Sequence, residues 1–387
     1  MEVEIYENVI GIHTFELRMR LSSFSEYKEY VAQLFNEERN IVNETGECVH
    51  QNHGVVNGEG ICDNRTHGIR LYIEKNEFVW LKLIVSPRNL IGDGNPYGVC
   101  RLSKEDIELL NKKIDEFLFL RGLPYYSHQF LLSRVDLCTN ILSNDKLFPQ
   151  TMIRLLNRTP LKGAYKRIAF SPAALEYGND AYEKNTYSYM AAIQKKAIKI
   201  YDKLSEKGAV PFKQQIDPEK SLLRIEVTLK REEVLKWITE NSLENQTALQ
   251  VVQLFSDKAL SLICGSLEKV FPHGDYVKRD EAQKRIKESG FIERIQSDML
   301  ETLDLIHRSK SPSTIPTRIK TNVLGVYNHP KRKYQELMDR FDKLGFQPTL
   351  LSKKDPDSFF SPSTWLKMAC LNSADKRLKG DVKDVKT

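Results

Sequence analysis

The sequence predicts an α+β fold in which a central antiparallel sheet is flanked by helices and joined to a mainly helical C-terminal region. Two observations predict this fold. Stretches of apolar and polar alternation recur over the first 230 residues, and helical periodicity replaces them from residue 231. A hydrophobic fraction of 41 % in 387 residues supports a large core and excludes collagen-like, low-complexity and wholly disordered classes.

Local patterns place the first elements in order. Alternation predicts a strand at 12–21, and an amphipathic helix is expected near 23–38, where Ser23 and Glu26 suit a capping box. A hairpin is predicted over 70–86 with its turn at Lys75-Asn76. Ser103 and Asp106 are expected to cap a following helix. Further elements are a strand at 130–141 and a helix at 147–156.

The second half is expected to begin with strands and end with helices. One or two strands are predicted around a turn within 165–192, and two more at 197–203 and 222–230. A Ser/Pro-rich stretch at 309–316 indicates a linker, a helix at 331–344 ends at Gly345, and residues 372–387 are expected to fray. These changes predict three regions: a sheet-containing domain over 1–230, a helical region over 231–308 and a basic region over 309–387.

Positive charge is concentrated near the C-terminus. The chain has a formal net charge of +6, while residues 308–387 hold 17 Lys and Arg against 8 Asp and Glu. A basic segment of this kind fits a polyanion, most often nucleic acid, because Lys and Arg release counterions from phosphates. Lys331, Arg332 and Lys333 are the candidate contacts. A solvated, lysine-rich terminus without a partner is the plainer alternative.

The absence of apolar stretches, the number of cysteines and the absence of Gly-rich loops limit the cellular location and the chemistry that we expect. No stretch approaches the roughly 20 apolar residues of a membrane span, and a secretory signal is not evident, so a cytoplasmic protein without a membrane partner is expected. Six cysteines are too sparse for a disulfide scaffold and are expected to be thiols. Phosphate-binding Gly-rich loops are missing from the sequence, which argues against an ATPase.

Two predicted strands share a short acidic pattern. In Ser133-Arg-Val-Asp136 and Leu223-Arg-Ile-Glu226, a carboxylate follows an arginine by two residues. Alternation places each acid on the polar face of its strand, so Asp136 and Glu226 converge if the strands are close neighbours. Two carboxylates suit Mg²⁺ or Mn²⁺, which prefer oxygen ligands. Half-buried ion pairs, Arg134 with Asp136 and Arg224 with Glu226, are the alternative interpretation.

A third predicted strand carries a tyrosine between two lysines. Alternation places Lys199, Tyr201 and Lys203 on one face. A phenol has a pKa of about 10, so a nucleophilic tyrosine needs cationic neighbours or a metal to stabilise its phenolate. Tyr187 and Tyr189 are rival nucleophiles, and an ordinary strand tyrosine between solvated lysines is the alternative. Together the three strands suit phosphoryl transfer.

These motifs belong to a series of blocks that resembles the replication initiators of filamentous bacteriophages, the gene II type of rolling-circle endonuclease. The blocks recur in the family's order from about residue 80 to 350, whereas the first 70 residues match poorly. They are the strand and Ser-Pro loop at 82–98, the acidic strands at 133–136 and 223–226, the tyrosine block at 201–206 and the aromatic-basic segment at 325–345.

The resemblance implies a rolling-circle initiator that recognises duplex origin DNA and nicks one strand with a tyrosine. It implies covalent attachment to the 5′ phosphate, reclosure of the displaced single-stranded circle without ATP, and work beside a host replicative helicase and polymerase in the bacterial cytoplasm. By position, Tyr201 is the nucleophile and Lys203 its electrostatic helper, and Asp136 and Glu226 are ligands of Mg²⁺ or Mn²⁺. The remaining candidates are Lys199 and Tyr189 for catalysis and Arg134 and Arg224 for DNA contact.

The chain departs from the family pattern in two places. Many rolling-circle initiators bind metal through His-hydrophobe-His, a triplet that none of the eight histidines here forms, so carboxylates or a lone histidine such as His13 are expected instead. Where relatives have a histidine beside the loop asparagine, this chain has Asp93-Gly94 before Asn95. The role of that loop is left open.

Other functions stay open at the level of sequence. A conjugative relaxase or plasmid initiator would use similar chemistry, and a non-catalytic DNA-binding regulator would keep the fold and the basic tail. A scaffold role would leave the polar strand faces unexplained. The Cys/His cluster Cys48, His50, His53, Cys62 and His67 matches no familiar zinc spacing, so a polar loop near DNA is preferred over a structural zinc site.

Overall fold

The computed structural model describes residues 1–21, 54–56, 60–63, 67–75, 79–162, 165–168, 188–205, 215–308 and 330–381. Within these ranges, ten strands form one large sheet in the order β2-β3-β4-β5-β1-β6-β10-β9-β8-β7. The ten strands are β1 Val3–Leu21, β2 Gly54–Val56, β3 Gly60–Asp63, β4 Ile69–Lys75, β5 Val79–Val85, β6 Leu131–Ser143, β7 Lys166–Arg167, β8 Ser188–Ile193, β9 Lys196–Asp202 and β10 Ser221–Leu229. A short antiparallel pair, β11 Tyr276–Val277 and β12 Ser358–Phe359, lies outside this sheet.

Helices flank the antiparallel sheet, which confirms the predicted α+β class. Most of them follow β10, so the mainly helical character of the second half is also confirmed. They are α1 Pro87–Ile91, α2 Lys104–Leu120, α3 Phe148–Arg158, α4 Arg231–Glu240, α5 Ala248–Asp257, α6 Ala259–Val270, α7 Arg279–Lys287, α8 Glu293–Arg308, α9 Pro330–Lys343 and α10 Pro362–Asp381.

The chain divides into two compact units. The first contains residues 1–8, 141–225 and 262–387, and the second contains residues 9–140 and 226–261. Each unit draws on distant parts of the sequence, because β1, β6 and β10 each contribute residues to both. The functional boundaries expected at residues 230 and 308 stay predictions.

In the second unit, strands β4, β5 and β1 share one mostly buried face. β1 pairs with β5 and β5 with β4, both antiparallel, so that Leu17, Leu83 and Leu71 lie side by side. These three leucines have no exposed surface. The side chains that alternate with them are partly or fully exposed, as a sheet with a single buried face requires.

Ile12 departs from the alternation of β1. The strand buries odd-numbered apolar residues near both of its ends, and Ile12 is fully buried in addition. His13 and Thr14, which lie between Ile12 and the buried Phe15, are both partly exposed. The partner of the strand also changes here, since Phe15 pairs with Val85 of β5 whereas Ile12 bridges to Cys100.

The loop after α1 is held by its own side chains and by β6. Asp93 Oδ1 accepts a hydrogen bond from the Asn95 amide at 2.9 Å, and Asn95 Oδ1 accepts one from the Tyr97 amide at 2.9 Å. The Asn95 amide, helped by the Arg88 guanidinium, lowers the pKa of Asp93. Asn140 of β6 then donates to the Tyr97 carbonyl oxygen. Hydrogen bonds thus fix the conformation of this loop and connect it to β6, the strand that carries Asp136.

In the first unit, α7, α8 and α9 surround an apolar core. Its buried side chains include Met299, Leu303, Leu337 and Phe341. The predicted end of α9 is confirmed, because Gly345 adopts a left-handed φ of +70° just beyond the helix.

The C-terminal segment differs from the prediction of a frayed end. The helix α10 continues to Asp381, so 372–381 are helical. Two hydrogen bonds tie this segment to β1: the Ile5 amide donates to Ser373 Oγ at 2.9 Å, and Asn372 Nδ2 donates to the Val3 carbonyl at 2.6 Å. Sequence patterns do not reveal such contacts across more than 360 residues.

Most local predictions agree with the structure. Ser103 and Asp106 form the expected capping box at the start of α2. The strand predicted at 12–21 is longer, since β1 begins at Val3, and the hairpin predicted over 70–86 is β4 with β5. The helix near 23–38, the linker at 309–316 and both proposed turns, at Lys75-Asn76 and within 178–180, lie wholly or partly outside the described residues.

Replacing Asn140 by Leu should destabilise the second unit. The side chain is fully buried, and its loss leaves the buried Tyr97 carbonyl without this donor, which costs about 1–3 kcal/mol. Denaturant titration of the full chain measures the change in the free energy of unfolding. The neighbour Thr139 is a matched control, because its buried hydroxyl makes no hydrogen bond to any described residue. Thr139→Val should be neutral or stabilising, and an equal loss in both variants would contradict the assignment.

Candidate functional site

The two predicted acids lie in neighbouring strands of the sheet. Asp136 is in β6, Glu226 is in β10, and these strands are adjacent in the strand order. Both belong to the second unit. Their carboxylates are largely withdrawn from solvent, with side chains 12 % and 7 % exposed respectively. Because burying a carboxylate is costly, each needs polar partners.

Asp136 receives its partners from β1 and from its own strand. Thr14 Oγ1 donates a hydrogen bond to Asp136 Oδ2, and Arg134 Nε lies 3.3 Å from the same oxygen. Arg134 also reaches Glu16, with Nη1 3.5 Å from Oε2. The ion pair between Arg134 and Asp136 that the sequence suggested as an alternative interpretation is therefore present.

Glu226 faces the only histidine of β1. His13 Nε2 lies 3.6 Å from Glu226 Oε1, and the imidazole is 40 % exposed while the carboxylate is nearly buried. His13 and Thr14 are both partly exposed, and these consecutive residues of β1 contact acids on different strands. His13 was a minor candidate in the sequence, and the structure places it against a predicted metal ligand.

Metal binding at this cluster stays a prediction. Two adjacent ligands of one octahedral ion lie about 3 Å apart, because each is 2.0–2.1 Å from the metal, whereas His13 Nε2 and Glu226 Oε1 are 3.6 Å apart. Among the described residues, no group of three or more His, Cys, Asp or Glu side chains is arranged to hold a metal ion. The imidazole and carboxylate donors suit a small divalent cation by type, and binding by His13, Glu226 and Asp136 stays a prediction.

Sequence reasoning missed two members of this cluster. Glu16 binds both residues that precede Val135, because Ser133 Oγ donates to Glu16 Oε1 at 2.6 Å in addition to the Arg134 contact. Thr14 completes the surroundings of Asp136. The available signal was the alternation of the first strand, which places Thr14 and Glu16 on its polar face, but no sequence pattern pairs that strand with β6.

The predicted nucleophile lies in the first unit, in the hairpin formed by β8 and β9. Tyr201 pairs with Ser188, and Lys199 pairs with Met190, so these four side chains share one face of the hairpin. Tyr201 and Lys199 are partly exposed, whereas Ile198 and Ile200 are fully buried. The predicted alternation is confirmed for Lys199 and Tyr201. It is wrong for Lys203, because β9 ends at Asp202 and Lys203 begins a short 3₁₀ turn in which it is buried. Lys203 Nζ lies 5.8 Å from the centre of the Tyr201 ring, although the lysine itself is only 5 % exposed.

Tyr189 occupies the opposite face of the same hairpin. It pairs with Ile200, is 2 % exposed, and its ring centre lies 5.7 Å from that of Phe271. Burial raises the pKa of Tyr189 to about 12, partly offset by Arg167, so its phenolate is hard to form. The geometry favours Tyr201 over Tyr189 as a nucleophile. Tyr187 lies outside the described residues.

The predicted DNA contacts have different surroundings. The Arg134 side chain is 27 % exposed, whereas Arg224, in β10, is only 1 % exposed. Lys333 Nζ lies 2.9 Å from Asp298 Oδ2 with both side chains mostly buried, while Arg332 is 80 % exposed and pairs with Glu336 on its own helix. The backbone of Lys331 lies in α9. Nucleic-acid contact by these residues stays a prediction.

The cysteines are only partly covered by the structure. Cys100, Cys138, Cys264 and Cys370 are free thiols, as expected. Cys48, His50 and His53 of the Cys/His cluster lie outside the described residues, and His67 is exposed. The choice between a polar loop and a zinc site there stays open.

Alkaline pH should destabilise the fold through its buried phenols, and Tyr189→Phe should reduce this effect. An unfolded phenol ionises at about pH 10. Since the folded pKa of Tyr189 is raised to about 12, its stabilising contribution is complete below pH 10 and is lost as pH rises through 12. By pH 12 the wild type should lose about 2 kcal/mol more than the variant.

Thermal or denaturant unfolding followed at several pH values between 8 and 12 measures this difference. Tyr126→Phe is the control, because it removes a phenol that is 57 % exposed and should leave the alkaline limb unchanged. Equal alkaline loss in wild type and Tyr189→Phe would contradict the burial of this phenol.

Comparisons with known proteins provide little for this chain. No protein-family model and no curated protein matches it. Among solved structures it is similar to the rolling circle replication initiator protein from Geobacillus stearothermophilus, with 10 % sequence identity and a TM-score of 0.29 over 69 % of this chain and 85 % of that one. This likeness is too low to assign a function. No helix of the described ranges is long and apolar enough to cross a membrane.

Proposed function

We propose that this protein is a rolling-circle DNA replication initiator that nicks one strand at its origin and later closes the displaced circle. The observation that carries the proposal is the polar cluster in the second unit, where His13 contacts Glu226 and Asp136 lies in the adjacent strand. Buried acids beside a partly exposed imidazole are typical of a site for metal-assisted phosphoryl transfer. The ordered blocks that resemble phage initiators of the gene II type support the same reaction.

The proposed nucleophile is the Tyr201 phenol oxygen. It gives up its proton and attacks the phosphorus of one phosphodiester, and the bond from phosphorus to the 3′ oxygen breaks. That oxygen takes up one proton, directly or through water, to become a 3′-OH, so the number of protons is unchanged. The 5′ phosphate stays bonded to Tyr201 as a phosphotyrosine diester. In the reverse step a 3′-OH attacks this diester, the phosphodiester re-forms and the phenol is released, so no ATP is needed. The partial exposure of Tyr201 supports access to DNA.

Two lysines suit this chemistry electrostatically. Lys199 lies two residues before Tyr201 on the same face of the strand. Lys203 Nζ lies 5.8 Å from the centre of the Tyr201 ring. Cations beside a phenol favour the phenolate, and cations beside a phosphate offset the charge that develops on its oxygens. We assign Lys199 to phosphate contact because it is partly exposed, and the more buried Lys203 to electrostatic support of the phenolate.

The proposal includes a divalent cation, Mg²⁺ or Mn²⁺, held by Glu226 with His13 and Asp136. When bound, such a cation polarises a phosphate oxygen and stabilises the charge of phosphoryl transfer. In the protein itself, Thr14 and Arg134 orient the Asp136 carboxylate, and the surrounding strands exclude water from both acids. Duplex origin DNA, a host replicative helicase and polymerase, and the bacterial cytoplasm complete the proposed setting.

A DNA-binding regulator without catalysis is the second candidate. The specific observation in its favour is that both acids already have partners inside the protein, Arg134 for Asp136 and His13 for Glu226. Buried charges have partners in sheets that catalyse no reaction, because an unpaired buried charge is strongly destabilising. The two candidates differ in whether Tyr201 becomes attached to DNA and whether the acids bind a metal.

Tyr201→Phe should abolish nicking while leaving the fold intact. Supercoiled circular DNA of the replicon that encodes the chain is incubated with the protein and Mg²⁺. Wild type should give relaxed circles and a protein–DNA adduct that survives denaturant, whereas the variant should give neither. Loss of a nucleophile usually lowers the rate by several orders of magnitude.

Tyr189→Phe is the matched control, because it removes a phenol from the opposite face of the same hairpin. It should nick at close to the wild-type rate. Undiminished nicking by Tyr201→Phe would move the nucleophile to another tyrosine. The absence of nicking and adduct with wild type on this DNA would favour the regulator.

Glu226→Gln should weaken Mn²⁺ binding to the full chain by at least about tenfold, because an amide lacks the charge of a carboxylate ligand. Calorimetry or the electron paramagnetic resonance of free Mn²⁺ measures the change without any DNA. His13→Gln should also weaken binding, since its Nε2 lies beside Glu226. Glu116→Gln, which removes a half-exposed surface carboxylate in the same unit, should have no effect. Equal affinity in wild type and Glu226→Gln would contradict this metal site.

A further inference from the structure

We propose that the partly exposed face of strands β4, β5 and β1 is a stacking platform for single-stranded DNA. The inference deepens the proposed function, since it names the path of the strand beside the proposed metal cluster. The observation behind it is the register of the three strands, which aligns basic and aromatic residues on the face opposite the leucine core.

The register forms three rows across the sheet. The central row is Arg18, Lys82 and Tyr72, since Lys82 pairs with both of the other residues. Side chains directly opposite each other in an antiparallel pair have Cβ atoms about 4.5–5.5 Å apart. Arg18, Lys82 and Tyr72 are therefore neighbours on a surface without an acidic residue in the row.

The flanking rows add further cations and an indole ring. One consists of Arg20, Trp80 and Glu74, and the other of Glu16, Ile84 and Arg70. The two acids occupy diagonally opposite corners of this grid, and Glu16 is already paired with Arg134. Three arginines, Arg18, Arg20 and Arg70, thus surround Lys82 at the centre of the grid. Arg20 and Arg70 are exposed, while the side chains of Arg18, Tyr72, Trp80 and Lys82 are partly exposed.

The Arg18 guanidinium lies over the Trp80 ring. The Arg18 guanidinium carbon lies 3.4 Å from the centre of the Trp80 ring system. Nucleic-acid bases stack on both aromatic rings and guanidinium planes, which makes such a pair a suitable platform. Arg18, Lys82, Tyr72 and Arg20 also contact other groups of the protein, so DNA would add to or replace those contacts.

The platform is continuous with the proposed metal cluster. Arg134 bridges Glu16 at the edge of the grid and Asp136 in the cluster, at 3.5 and 3.3 Å. Along β1, the distance from Thr14, the partner of Asp136, to Arg20 is about 20 Å at 3.3 Å per residue. A strand with one phosphate at the acids would therefore pass over Arg18 and Trp80. Aromatic stacking requires unpaired bases, so the occupant is single-stranded rather than duplex DNA.

The binding test uses full-length Tyr201→Phe in EDTA, so that neither cleavage nor metal contributes. Anisotropy of a 5′-labelled oligo(dT) of about 16 nucleotides gives the affinity. Trp80→Leu keeps an apolar side chain but removes the ring, and it should weaken binding about 5- to 150-fold. Lys82→Gln should lower the slope of log K against log salt by about 0.7.

A matched control separates the platform from general electrostatics. Lys112→Gln removes a positive charge from α2, where the side chain is 71 % exposed in the same unit, and should leave affinity unchanged. Duplex DNA of equal length should compete poorly. Equal affinity of Trp80→Leu and wild type, an equal loss with Lys112→Gln, or a preference for duplex would each overturn the proposal.

A second measurement, tryptophan fluorescence, detects DNA at the platform in the wild-type protein. Trp80 is the indole at the platform, because Trp237 packs on Phe255 at 4.1 Å and Trp365 is 3 % exposed. Oligo(dT) should therefore quench the tryptophan fluorescence of the wild type, and Trp80→Phe should remove most of this quenching. Quenching that persists in Trp80→Phe would overturn the proposal.

The outcomes for the platform and for nicking are separable. If DNA is not nicked but binding depends on Trp80, the platform stands and the proposed reaction is wrong. If DNA is nicked at Tyr201 but binding is independent of Trp80 and Lys82, the reaction stands and the platform is wrong.

Discussion

A carboxylate buried in a sheet needs a partner, and this requirement organises the second unit. Asp136 and Glu226 are mostly hidden from water, so polar partners must offset the cost of burying each charge. Thr14 of β1 and Arg134 of its own strand do this for Asp136, and His13 lies 3.6 Å from Glu226. The contacts that offset the free-energy cost of burying these carboxylates also fix the positions of their oxygens. A metal or phosphate site requires such fixed positions.

Two consecutive residues of β1 contact the two acids. His13 lies beside Glu226 and Thr14 donates a hydrogen bond to Asp136, so a single strand supplies an imidazole to one acid and a hydroxyl to the other. From Phe15 to Leu21, regular alternation places Glu16, Arg18 and Arg20 opposite the leucine core.

Burial also distinguishes the tyrosines of the first unit. Tyr189 and Tyr201 are in paired strands, yet one belongs to the core and the other to the partly exposed face. Tyr189 pairs with Ile200, the residue before Tyr201, and successive side chains of a strand point to opposite faces. The two tyrosines therefore lie on opposite faces of the hairpin. Burial keeps the Tyr189 phenol protonated, whereas Tyr201 has Lys199 on its own face and Lys203 close to its ring. Lys203, just beyond β9, is buried, which is rare for a lysine.

The sequence by itself determined the α+β class, the acid-bearing and tyrosine-bearing strands and the capping box at Ser103, because alternation and capping are local properties. It also indicated which faces of those strands are polar. Only the tertiary structure decided that β6 and β10 are neighbours, that Thr14, Glu16 and His13 serve the acids, and that Asn372 and Ser373 hold the C-terminal helix to β1. Strand order and register depend on contacts between residues far apart in the chain, and a single sequence pattern carries no information on those pairings.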